Sequence, residues 1–92
     1  MNAPARKART SCDNIARLIV VTKNELAAEK HQLEAAKREL HELQQQRPPN
    51  PKRIAEAKAE VARLEELIDS THGALDTAEA IFNERCRPGP DR

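Results

Sequence analysis

A proline-rich segment at the middle of the chain divides it into two halves that must form separate helices. Arg47-Pro48-Pro49-Asn50-Pro51 interrupts a helical pattern. Two adjacent prolines cannot continue a helix, because each lacks an N–H and clashes with the preceding turn. Asn50 is a favourable N-cap, and Pro51 suits the first helical position, where a missing N–H costs nothing. The segment that ends the first helix therefore also begins the second.

The two halves have equal lengths, which favours a hairpin. We predict helices over residues 11–46 and 51–86, of 36 residues each, joined by a proline-rich turn at 47–50. Long helices with a short connection fold back on one another. The segments at 1–10 and 87–92 predict a disordered basic arm and a disordered tail. The predicted fold class is all-α, a two-helix antiparallel coiled-coil hairpin that dimerises into a four-helix bundle or stays single.

Heptad spacing supports the hairpin. Facing residues in an antiparallel pair have numbers with a constant sum, and the registers of the two helices satisfy this across the turn. The predicted pairs run from Leu43 with Ile54 at the tip, the loop end, to Ile15 with Phe82 at the open end. The first helix has these residues at positions a and d: Cys12, Ile15, Ile19, Thr22, Leu26, Glu29, Leu33, Ala36, Leu40 and Leu43. The second has Ile54, Ala57, Val61, Leu64, Ile68, Thr71, Leu75, Ala78, Phe82 and Arg85.

The middle of this seam is weaker than its ends. Glu29 occupies a d position and is predicted to face Ile68. The segment 69–73 contains poor helix formers and Gly73. A polar layer that fixes the register is the favoured interpretation, and a hinge or binding notch is the alternative.

The open end carries more apolar residues than the seam can bury. Leu18 and Val21 lie off the seam of the first helix, and position g of the second helix flanks the same side. A helix that is apolar beyond one stripe is usually covered by another surface. We define the open-end stripe as Leu18, Val21, Leu67, Ala74 and Ile81, and we predict that it binds a partner.

The fold brings the two cysteines, Cys12 and Cys86, to the same end. A disulfide there would close a long loop and stabilise the open end. Coiled-coil axes lie about 8 to 10 Å apart, whereas bridged Cα atoms lie near 5.5 Å, and without a secretion signal we expect reduced thiols. Two unbridged cysteines are the favoured interpretation, and a disulfide is the alternative.

The sequence argues against an enzyme. The three histidines have no second His or Cys at the spacing that zinc sites use, and Asp69, His72 and Asp76 more often form a solvated polar face. There is no nucleophile motif or glycine-rich loop, and a two-helix hairpin offers no concave pocket. We therefore expect no catalytic residues, no metal, no cofactor and no small-molecule substrate.

Charge and hydropathy limit the partners. The net charge is +1, and no apolar run approaches the roughly 18 residues of a membrane span, so we expect no membrane partner and a cytoplasmic location. Nucleic acid is the alternative partner, through cations in the arm and around the turn. These cations are separated and acidic residues follow the turn closely, which favours a solvated loop. They are Arg6, Lys7, Arg9, Arg47, Lys52 and Arg53.

The first functional hypothesis is therefore a non-enzymatic coiled-coil interaction protein. It would act as an adaptor, scaffold or small regulator and would bind itself or a larger protein through the open-end stripe. The second hypothesis is a nucleic-acid-binding accessory protein that uses the arm and the tip.

Overall fold

The computed structural model describes the backbone of residues 3–86 and the side chains of residues 11–86. Two helices make up this part of the chain, α1 (Ala3–Gln45) and α2 (Pro51–Arg85), and they pack against each other as a hairpin. The molecule is 73 Å long and only 24 × 14 Å in its other dimensions. The all-α hairpin predicted from the sequence is confirmed.

The turn follows the predicted chemistry. Asn50 has an extended backbone and caps α2, because its side-chain oxygen accepts a hydrogen bond from the Arg53 N–H at 3.2 Å. Pro51 occupies the first turn of α2. At the end of α1, the Arg47 guanidinium donates to the carbonyl oxygens of Gln44 and Gln46. Both helix ends at the tip therefore have hydrogen-bond partners for groups that the helices leave unpaired.

The predicted start of the first helix is corrected by the structure. α1 begins at Ala3 rather than at Ser11, so it includes most of the segment predicted as a disordered arm. Alanine, arginine and lysine dominate this segment and are strong helix formers. Pro4 lies in the first turn, where the helix loses no hydrogen bond. The tail predicted at 87–92 lies outside the described residues.

The predicted seam is the core of the hairpin. Every predicted a and d residue of α1 is buried or half-buried, and in α2 the same is true of all except Arg85. Leu64 is the most deeply buried, at 1% exposure. Arg85 lies at the end of α2, where a cation interacts favourably with the helix dipole and its side chain remains in solvent.

The pairings between the helices follow the antiparallel register. Partners at successive levels are Cys12 with Cys86, Lys23 with Glu79, and Glu29 with Thr71. α2 also runs without interruption through residues 69–73, so this segment is helical along its whole length.

Candidate functional site

The open-end stripe is exposed in the single chain. Leu18 is 54% exposed and Val21 is 52% exposed, while Leu67 and Ile81 are 37% and 36% exposed. Ala74 is exposed between them in α2. The buried residues define the seam, and the residues of the open-end stripe lie beside the seam on one side of the hairpin, which we call the stripe side. The structure therefore leaves uncovered the surface that the sequence predicted to bind a partner.

The opposite side of the seam has a different character, and we call it the groove side. Lys23 pairs with Glu79 across the two helices there, with Nζ 3.7 Å from Oε2. Lys30 and Lys37 continue the e positions of α1 on this side. Acidic residues of α2, among them Glu65 and Asp76, share this side with the lysines, so the groove side carries charges of both signs, whereas the open end of the stripe side is aliphatic.

A shallow groove at the open end was missed by the sequence analysis. It lies on the groove side and is lined by Ala16, Ile19, Glu79, Phe82 and Asn83. Val20 is 58% exposed and occupies position b, beside this groove. The sequence does carry a signal for this groove, because Ala16 at position e and Val20 at position b are apolar residues beside the seam on this side. The apolar surface of the open end is therefore wider than the predicted stripe.

The stripe side changes from apolar to acidic toward the tip. Its g and c positions in the tip half hold Glu39, Glu42, Glu56 and Glu60, and its one cation there is Arg63. Arg63 is engaged by Glu60 through two hydrogen bonds of 2.9 and 2.7 Å. This hydrogen-bonded guanidinium holds the pKa of the Glu60 carboxyl below its ordinary value. The tip half of the stripe side is therefore negatively charged at neutral pH.

The two cysteines that the sequence left open are joined in a disulfide. Cys12 and Cys86 have Cα atoms 5.5 Å apart, a distance typical of bridged cysteines. Cys86 is the C-cap of α2, and its N–H donates to the Phe82 carbonyl at 2.8 Å. Cα atoms lie about 2.3 Å from a helix axis, so facing residues on axes about 8 to 10 Å apart have Cα atoms close enough for a bridge, which explains why the expectation of unbridged thiols fails. The bond fixes the open end beside the stripe.

The predicted polar layer contains a specific partner. Glu29 was predicted to face Ile68, and the structure adds a hydrogen bond of 3.0 Å from the Thr71 hydroxyl to Glu29 Oε2. The other carboxylate oxygen, Oε1, is buried without a hydrogen-bond partner in the part of the chain that the structure describes. Spacing alone does not show which neighbouring layer a long glutamate side chain reaches.

The cations proposed for nucleic acid are not brought together. Arg47 caps α1, as described above, while Lys52 and Arg53 are exposed at the tip. The side chains of Arg6, Lys7 and Arg9 lie outside the described residues, in a segment at the opposite end of α1. With a molecule 73 Å long, the two groups cannot contact one stretch of phosphates as a continuous patch.

Of Asp69, His72 and Asp76, the structure pairs the last two: His72 Nδ1 lies 3.3 Å from Asp76 Oδ2, and both side chains are exposed. Within residues 11–86 no three His, Cys, Asp or Glu side chains converge as metal ligands. Neither α1 nor α2, as described, is apolar over a length that would cross a bilayer. Comparison of the chain with protein-family models, with curated proteins and with solved structures finds no match.

Proposed function

We propose that this protein is a non-enzymatic interaction module that binds itself or a larger protein through the open-end stripe. The observation that carries the proposal is the exposure of four large aliphatics, Leu18, Val21, Leu67 and Ile81, on one side of the hairpin. Full burial of a completely exposed side chain of this kind is worth about 1.5 to 3 kcal/mol, and these side chains retain between 36% and 54% of their exposure, so each contributes roughly a third to a half of that on binding. A clustered set is therefore a strong driving force for association.

The shape of the molecule supports a surface-based role. The hairpin is two helices thick and presents a long side rather than an enclosed cavity, and its seam is filled by its own side chains. Catalysis generally requires a site that excludes water around reacting groups. The role of adaptor, scaffold or small regulator suits this shape, with the disulfide keeping both helices of the stripe in one register.

Photo-crosslinking tests the proposal. A photoreactive amino acid is placed at Val21, and a matched one at Val20, which is equally exposed but lies on the groove side. We expect a discrete crosslinked adduct, with a second copy or another protein of the native source, from Val21 and not from Val20. Equal crosslinking from both positions, or none from Val21, would contradict the assignment of the stripe.

The disulfide also enters the proposal for the cellular compartment in which the protein works. The sequence led us to expect the cytoplasm, where thiols are kept reduced, whereas the bond between Cys12 and Cys86 is the form favoured in oxidising compartments. We therefore propose that the protein works where disulfides persist. Thiol alkylation of protein taken directly from its native source, followed by mass measurement, should find both cysteines protected. If both cysteines are alkylated instead, the cytoplasm is the better proposal.

A further inference from the structure

We infer that the disulfide between Cys12 and Cys86 is a redox switch for the open-end stripe. While the bond is intact, the last two turns of α2, residues 79–85, stay packed on α1, and reduction by a dithiol releases them. This inference rests on the proposed function and names the regulation of its binding surface. It follows from where the disulfide lies and from how weakly other contacts hold the open end.

The seam is poorly enclosed next to the disulfide. Thr22 and Leu75 form the first layer, counted inward from the bond, in which both facing residues are buried, at 5% and 7% exposure, and we call it the first buried layer. Two layers lie between it and the disulfide: Ile15 with Phe82, and Ile19 with Ala78. Of these four residues only Ala78, which has the smallest side chain, is buried. Since stabilisation scales with the apolar area removed from water, these two layers hold the helices together less firmly than the first buried layer does.

The end of α2 has few other stabilising interactions. Ile81, Phe82 and Asn83 are poorer helix formers than alanine or leucine, and the terminal turns of a helix fray where packing does not hold them. The ion pair between Lys23 and Glu79 spans 3.7 Å, and its side chains are 58% and 40% exposed, so it contributes little. Without the disulfide, the last two turns of α2 therefore have little to keep them packed on α1.

The disulfide is open to thiol chemistry. Cys12 and Cys86 are half-buried rather than enclosed, and they lie at the end of the hairpin, so a small dithiol can reach the bond. The first thiolate of the reductant forms a mixed disulfide with one cysteine and frees the other. Its second thiol then displaces the bound cysteine, so two electrons and two protons pass to the two cysteines and the reductant leaves as its own disulfide.

Release of these turns divides the stripe. Leu18 lies on α1 and Ile81 on α2, and both lie between the disulfide and the first buried layer. A partner that contacts both side chains needs the two helices packed side by side. Leu67 and Ala74 lie on the inner side of the first buried layer and keep their positions. The oxidised chain therefore presents the complete stripe, whereas the reduced chain presents only its inner part.

Hydrogen exchange tests the release of α2. Deuterium uptake is measured by mass spectrometry on the full chain in three forms: oxidised, reduced with dithiothreitol, and carrying Cys12→Ala/Cys86→Ala, which removes the bond without a reagent. We expect residues 79–85 to be protected in the oxidised chain and to exchange at least about tenfold faster in the other two forms, completely within the shortest labelling pulse. Residues 57–68 should stay protected over that pulse in all three forms.

Reoxidation of the reduced chain with glutathione disulfide should restore the protection of residues 79–85, because the same thiol–disulfide exchange then runs in reverse. Continued protection of these residues in the reduced chain would show that packing alone holds the end of α2. Full exchange of residues 57–68 within the pulse would show that reduction unfolds the whole hairpin. Either result would overturn the inference.

Photo-crosslinking tests the consequence for binding. The photoreactive amino acid at Val21 is incorporated into the oxidised chain and into Cys12→Ala/Cys86→Ala, with no reductant in either sample, so that the partner is the same in both. We expect the yield of the Val21 adduct at limiting concentration to fall by about tenfold in the variant, in proportion to the loss of affinity. Equal yields would overturn the switch and leave the proposed function intact. Absence of an adduct from the oxidised chain would contradict the proposed function, while hydrogen exchange would still decide whether the disulfide holds the end of α2.

Discussion

At the scale of single residues, the hairpin contains two residues that we expect to lower its stability. Glu29 is a carboxylate at a seam position, with one oxygen held by Thr71 and the other buried without a partner in the described residues. Gly73 lies inside α2, and a Cβ built at this position meets no atom within 4 Å. We therefore expect the fold to gain stability when Glu29 and Thr71 are replaced together by apolar residues, and when Gly73 is replaced by alanine.

Replacement of the polar pair should stabilise the hairpin. Thr71→Val alone removes the one hydrogen bond that the Glu29 carboxylate makes, so we expect a loss of about 1 kcal/mol. Glu29→Leu alone should be close to neutral, since it removes a poorly paired carboxylate but leaves the Thr71 hydroxyl. The double variant should gain about 1 to 2 kcal/mol over the wild type. Urea unfolding of all four proteins measures the cycle, and a double variant less stable than the wild type would show that the polar layer is needed for folding.

Gly73→Ala should raise stability by about 1 kcal/mol, because glycine in a helix interior costs backbone entropy and the new methyl group meets no steric obstacle. The matched control is Ala80→Gly, one heptad away at the same outward position. It should lower stability by a similar amount. Thermal unfolding followed by circular dichroism compares the two, and a destabilised Gly73→Ala variant would favour the hinge interpretation of residues 69–73.

At the scale of elements, the two helices depend on their shared seam and on the disulfide. The seam, the turn and the extent of α2 follow from heptad spacing and from the proline-rich segment, which is why the sequence predicted them well. The start of α1 was predicted too late, because Ser11 is a favourable N-cap and helix propensity in the preceding residues competes with it. A local signal for a helix end does not determine where the helix actually begins.

Leu64→Ala should cost about 3 kcal/mol, because this side chain is almost completely enclosed and its removal leaves a cavity. Leu67→Ala is the matched control, three residues away in α2 and exposed. Measured by urea unfolding at concentrations below association, the control should change stability by less than about 0.5 kcal/mol. Similar losses at both positions would mean that the seam is not the core.

Loss of the disulfide should destabilise the hairpin by about 4 to 5 kcal/mol, because the bond closes a loop between residues 74 apart in sequence. Cys12→Ala/Cys86→Ala and the chemically reduced wild type should unfold at the same urea concentration, well below that of the oxidised chain. If the oxidised and reduced proteins unfold together, the open end is held by packing alone.

At the scale of the whole molecule, the two long sides of the hairpin expose different residues. The sequence predicted the residues of the stripe, since heptad positions outside the seam can be read directly. It did not predict the groove beside Phe82, because the depth of a groove depends on how closely the helices approach. It also favoured unbridged cysteines, because the spacing of helix axes overstates the distance between Cα atoms that face each other.

Arg47→Glu/Arg53→Glu should leave association through the stripe unchanged, because both residues lie at the tip, far from Leu18 and Ile81. The same variant removes two of the cations on which nucleic-acid binding would rest. Sedimentation and a salt-dependent gel shift are measured together. The nucleic-acid hypothesis would become the better one if this variant, whose stripe is unchanged, lost association and if the wild type shifted nucleic acid in a salt-dependent way.

The disulfide also determines how the molecule responds to mechanical load. A force applied to the chain on the outer sides of Cys12 and Cys86 passes directly through the sulfur atoms, so the helices and the tip between them carry no tension. Under reducing conditions the same pull would unzip the hairpin from its open end and release up to about 250 Å of chain, from a sequence separation of 74 residues. The oxidised protein is thus a short, stiff link. Optical tweezers should record the additional extension of the chain between the cysteines only after the disulfide has been reduced.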